Sequence, residues 1–114
     1  LVAPVLARWV TAAFQDDPAA EGLRAMLRRT APEGYAGAAE ALATGALRAS
    51  TAGLRVPTLV LVGAQDEATP PAAAAAIAAA IPGARLVTID RAAHLPTVER
   101  PAEVAAAIAD FLGS

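Results

Sequence analysis

Apolar positions change rhythm partway along the chain. Up to about residue 55 they recur at helical spacing. Leu23, Met26 and Leu27 follow Asp17-Pro18, a cap with proline in the first turn, and Arg28 and Arg29 close the last turn. A second helix is predicted after Pro32, with Tyr35, Ala38, Ala39 and Leu42 on one face and Gly45 near its end. Both are short amphipathic helices that need something to lie against. From Val56 onward strand and helix patterns alternate. Residues 57–63, PTLVLVG, form a continuous run rich in branched side chains, which suits a strand covered on both faces in a parallel sheet. After a loop, Thr69 is placed to cap a helix whose first turn takes Pro70 and Pro71; Ile77 and Ile81 share a face until Pro82-Gly83 ends it. Residues 85–90 predict a second strand, which a crossover helix sets parallel to the first. A last helix starts at Pro101, with Val104, Ile108, Phe111 and Leu112 at i, i+4, i+7 and i+8.

The fold class is therefore α/β, with a helical segment over residues 1–55 and strand–helix units over 56–114. Two strands with one crossover helix are too little sheet to stand alone comfortably, and Leu1 is not a translation start. Both facts predict a piece of a longer product with a partner segment upstream. The unpaired edge at 58–62 predicts self-association, a homo-oligomer, when residues 1–114 are isolated.

Composition narrows the function. The chain is 56% apolar, but about a third of its residues are alanine, so bulky core side chains are few. Net charge is −2, arginine is the only basic type, and no like-charge run exists, which argues against nucleic acid and anionic membranes as partners. The alanine-rich stretch 72–81 is about half the length of a membrane span. Zero cysteine excludes disulfides and thiolate metal sites and leaves the cytoplasm as the default location.

The candidate chemistry sits after the strands. In doubly wound sheets, loops at the carboxyl ends of strands line the ligand crevice, and Asp66 and the single histidine, His94, both fall in such loops. An aspartate held against one imidazole nitrogen fixes the tautomer and leaves the other nitrogen to take a proton. Glu67 and Asp90 are nearby competitors for the aspartate's place. Glu99 is read as satisfying local backbone near Pro101.

The segments VPTLVLVGAQDEATPP and IPGARLVTIDRAAHLPTVERPAEVAAAIADFL resemble the C-terminal half of α/β hydrolases, with the nearest likeness to 3-oxoadipate enol-lactonases. ARWVTAAF at 7–14 and APEGYAGAAEAL at 31–42 resemble the helical cap of those enzymes. The resemblance implies the C-terminal part of an α/β-hydrolase fold, with Asp66 as triad acid, His94 as triad base, and Arg8 and Trp9 meeting substrate under the cap. It implies a small-molecule lactone or ester substrate and no metal or organic cofactor. Two departures stand out. Ala93 occupies the place where the family usually has glycine, which puts the turn before His94 at issue. No Gly-x-Ser-x-Gly elbow is present, the only serines being Ser50 and Ser114, so the nucleophile is expected from the missing N-terminal half. The rival readings are another small-molecule hydrolase of this fold (an esterase, a carbon–carbon bond hydrolase or a cofactor-free haloperoxidase) and a non-catalytic binding module.

Overall fold

The computed structural model describes residues 1–113. Its first part is helical: α1 (Val2–Trp9), a 3₁₀ turn at Ala13–Asp16, α2 (Pro18–Arg29), α3 (Pro32–Thr44) and α4 (Arg48–Ala52). α2 begins where Asp17-Pro18 predicts, because Asp17 Oδ1 accepts the Ala19 N–H at 2.8 Å and proline needs no N–H at that position. α3 has the predicted extent, yet none of its residues is buried and Leu42 is 85% exposed.

The second part comprises β1 (Leu59–Gly63), α5 (Pro71–Ala80), β2 (Arg85–Ile89), α6 (Pro96–Glu99) and α7 (Pro101–Leu112). β1 and β2 are parallel neighbours, with Leu59 opposite Arg85 and Gly63 opposite Ile89. Their carboxyl ends are therefore level, and both following loops leave the sheet on the same side. Ile89, Ala92 and Val104, with Leu61 and Val87 against them, form the core between the sheet and α7.

Three local expectations differ from the structure. The strands are covered on both faces only toward their carboxyl ends, at Val62, Gly63 and Ile89, while Leu86 is exposed. Thr69 does not cap α5: Pro70 holds the N-cap position, which has no side-chain hydrogen bond. Ile81 lies one residue past α5 and is buried, whereas Ile77 is exposed, so the two do not share a covered helix face. Among the described residues, no helix is long and apolar enough to cross a membrane.

Candidate active site

Backbone hydrogen bonds draw the loops after β1 and β2 together. The Ala64 N–H donates to the Ile89 carbonyl and the Gln65 N–H to the Ala92 carbonyl, each at 2.9 Å. Gly63 lies at the crossing. A Cβ there would stand 2.0 Å from the Ala93 carbonyl oxygen and 2.5 Å from that of Ala92, so only a residue without a side chain lets the loops touch. Ala92 and Ala93 are small and buried at the same crossing.

Asp66 then folds back on its own loop. Its Oδ1 accepts the Ala68 and Thr69 N–H groups, each at 2.9 Å, and its Oδ2 accepts the Thr69 hydroxyl at 3.0 Å. His94 Nδ1 lies 3.0 Å from the same Oδ2. Burial pushes the Asp66 carboxyl up, but hydrogen bonds from the Thr69 amide, His94 and the Thr69 hydroxyl outweigh it and hold the carboxyl below its ordinary 3.8. The carboxylate is thus ionised at neutral pH and can only accept. Nδ1 must then carry the shared proton, and Nε2 is left with a free lone pair.

Ala93 does not disturb this geometry. The left-handed residue of the turn is Arg91, at φ 55°, and Ala93 has no positive φ that would demand glycine. Glu67 and Asp90 are exposed, and Asp66 is the carboxylate that meets the ring. Ser50 lies on α4 with its hydroxyl bonded to the Leu47 carbonyl, and Ser114 lies outside the described residues.

Two groups escaped the sequence reading. Thr69, taken as a helix cap, places its hydroxyl on Asp66 and 3.2 Å from His94 Nδ1. Its position three residues after an aspartate is a signal for such a turn. Glu99, taken as a local backbone partner, is instead buried at 3% exposure. It accepts from the Thr11 N–H at 2.9 Å, the Thr11 hydroxyl at 2.7 Å and the Ala93 N–H at 2.7 Å.

Arg8 and Trp9 sit at the end of α1, and the Trp9 carbonyl accepts the Leu95 N–H at 3.0 Å. Both residues line a cavity of about 750 Å³ whose wall also includes Tyr35, Thr69 and His94. The apolar face predicted for α3, Tyr35 to Leu42, forms part of that wall. His94 also borders a second hollow of about 400 Å³, with Val62, Asp66 and Ile77. The arrangement therefore offers a base oriented by a carboxylate beside a mostly apolar cavity that carries one guanidinium, the equipment for taking a proton near a small anionic molecule.

A family model described as the alpha/beta hydrolase family matches residues 1–107. Solved structures align over nearly the whole chain. One is a hydrolase from Pseudomonas aeruginosa PA01, at 41% identity and TM-score 0.90, covering 99% of this chain and 43% of that one. Another is the enol-lactonase from Burkholderia xenovorans LB400, at 36% identity and TM-score 0.93, covering 99% and 44%. A third is a thermophilic esterase from Thermogutta terrifontis, at 35% identity and TM-score 0.86, covering 97% and 42%. The chain thus spans less than half the length of these structures. No curated protein matches it significantly. The level strand ends, the loops stitched across them and the match over residues 1–107 lead to one conclusion: the chain belongs to the alpha/beta hydrolase family.

Proposed function

We propose that this chain is the C-terminal portion of a cytoplasmic serine-type hydrolase that opens an enol-lactone ring to 3-oxoadipate in aromatic catabolism, with residues 1–55 serving as its cap. The observation that carries the reading is the 3.0 Å bond between His94 Nδ1 and Asp66 Oδ2 on the wall of a cavity shared with Arg8 and Trp9. The similarity to an enol-lactonase supports the lactone as substrate.

In the proposed reaction a serine hydroxyl, supplied from outside residues 1–114, attacks the lactone carbonyl while His94 Nε2 takes its proton. Asp66 stabilises the imidazolium that results. Collapse of the tetrahedral intermediate breaks the ring C–O bond, and the leaving enol oxygen receives the proton from His94. Water then repeats the sequence on the acyl-enzyme, releasing the product carboxylate and restoring the serine. Arg8 pairs with the carboxylate arm of the substrate, where its planar guanidinium can make two parallel hydrogen bonds, and Trp9 covers the ring.

The test is lactone hydrolysis by the full-length polypeptide, set beside hydrolysis of a neutral ester. His94→Ala is expected to lower kcat for both by roughly 10⁶. Arg8→Leu is expected to raise KM about tenfold or more for the lactone alone. Equal loss on both substrates would remove Arg8 from the reading. Residues 1–114 in isolation are expected to show no turnover above background; turnover there that His94→Ala abolishes would overturn the external nucleophile. The likeness to an esterase supports a second reading, a plain ester as substrate, which wins if the neutral ester is turned over better than the lactone.

A further inference from the structure

Glu99 occupies an unusual place for a buried carboxylate. Its Oε1 reaches across 88 residues of chain to the Thr11 amide and hydroxyl, and its Oε2 takes the Ala93 amide six residues before it. Among the described residues it has no ion pair, and its two oxygens meet three donors. Beside this bridge the Trp9 carbonyl takes the Leu95 N–H. Residues 93 and 95 flank His94; residues 9 and 11 follow Arg8. The two stretches are therefore clamped at both neighbours of the histidine.

We infer that Glu99 is a positioning residue that holds His94 at a fixed offset from the Arg8–Trp9 side of the cavity, so that the base and the anion-binding wall move as one body. The inference rests on the hydrolase reading and adds a role that neither Asp66 nor Thr69 fills. Those two hold the His94 ring from the sheet side; Glu99 holds its backbone from the α1 side. A carboxylate is required because every group facing it is a donor. A glutamine must turn its NH₂ toward one of them. Keeping the carbonyl oxygen on the two Thr11 donors turns the NH₂ against the Ala93 N–H, and that arm opens.

The experiment uses the full-length protein and compares Glu99→Gln, Thr11→Val and Thr11→Ser. In Glu99→Gln the Ala93 amide is expected to exchange with solvent about tenfold faster while the Thr11 amide keeps its rate. The same variant is expected to lower kcat/KM roughly tenfold for an ester bearing a carboxylate arm, because a small misplacement of the bound anion against the base is amplified in rate. A neutral ester with the same leaving group is expected to stay within about threefold of wild type. Thr11→Val removes only the hydroxyl and is expected to shift the same ratio by about threefold, whereas Thr11→Ser keeps both donors and the wild-type ratio. Unchanged Ala93 exchange overturns the clamp. Parallel loss on both esters reduces Glu99 to a structural role and overturns the positioning claim. If wild type hydrolyses neither ester, the hydrolase reading fails, and the amide exchange alone decides the clamp.

Discussion

Replacing Gly63 with alanine is the sharpest test of how the two loops are joined. The new methyl would lie 2.0 Å from the Ala93 carbonyl oxygen, 2.5 Å from that of Ala92 and 2.8 Å from the Ala92 carbonyl carbon, all backbone atoms that cannot rotate away. Carbon-to-oxygen contacts settle at roughly 3.3–3.6 Å, so the His94 loop must retreat by more than about 1 Å. A retreat of that size opens the 2.9 Å Gln65–Ala92 bond and pulls His94 away from Asp66. One or two hydrogen bonds at about 1 kcal/mol each, plus overpacking at about 1–3 kcal/mol, give a destabilisation of roughly 2–5 kcal/mol. At 3 kcal/mol that is roughly a hundredfold or more in the unfolding equilibrium and a Tm lower by roughly 10–20 °C. Urea unfolding followed by circular dichroism, with the His94 ring proton read by NMR, measures both effects. Gly22→Ala is the control: outside its own helix backbone nothing lies within 4 Å of where a Cβ would stand, and alanine inside α2 is expected to stabilise by about 0.5–1 kcal/mol. The reasoning fails if Gly63→Ala unfolds within about 1 kcal/mol of wild type and keeps the His94 proton in place.

Other expected outcomes follow from the Asp66 loop. The folded pKa of Asp66 lies below its unfolded value, so this carboxylate stabilises the fold above the ordinary 3.8, and the contribution is lost as pH falls through the folded value. Stability profiles of wild type and Asp66→Asn should therefore converge as the pH falls from the ordinary 3.8 through the lowered folded value, and profiles that stay parallel across that acid range would contradict the assignment. Thr69→Val removes a hydroxyl that bonds Asp66 Oδ2 and is expected to lower kcat about tenfold with KM little changed, while Thr69→Ser retains the activity; a loss in Thr69→Ser as large as in Thr69→Val would contradict the role given to the hydroxyl.

The fold was legible where the chain's local chemistry acts alone. Asp17-Pro18 starts α2 because the aspartate caps its own helix, and the branched run 59–63 pairs with 85–89 because a crossover helix leaves a parallel strand few other places. Asp66 and His94 were legible for a related reason: parallel neighbours in register end level, and loops from level ends meet. Thr69 was misread because a threonine before two prolines is also a good cap, and the choice turned on Asp66 drawing the loop back on itself. Glu99 was misread because its partners lie 88 and 6 residues away, and no local pattern encodes the former. The four-residue α6 that carries Glu99 is too short for periodicity to reveal. Ala93 departs from the family pattern without strain because the positive φ of the turn falls two residues earlier, at Arg91.

The cavity wall is drawn unevenly from the chain. All of its lining residues except Ala68, Thr69 and His94 come from residues 1–42. The atoms around which Gly63, Asp66 and His94 close come instead from the loops after β1 and β2. Mutation can therefore reshape the wall on α2 and α3, altering its size and polarity, without touching the tight crossing at Gly63. On α3, none of whose residues is buried, a side chain can change at little cost to packing. Most of the wall and the Asp66–His94 pair are thus encoded in separate stretches of the sequence, residues 1–42 for the one and residues 63–94 for the other.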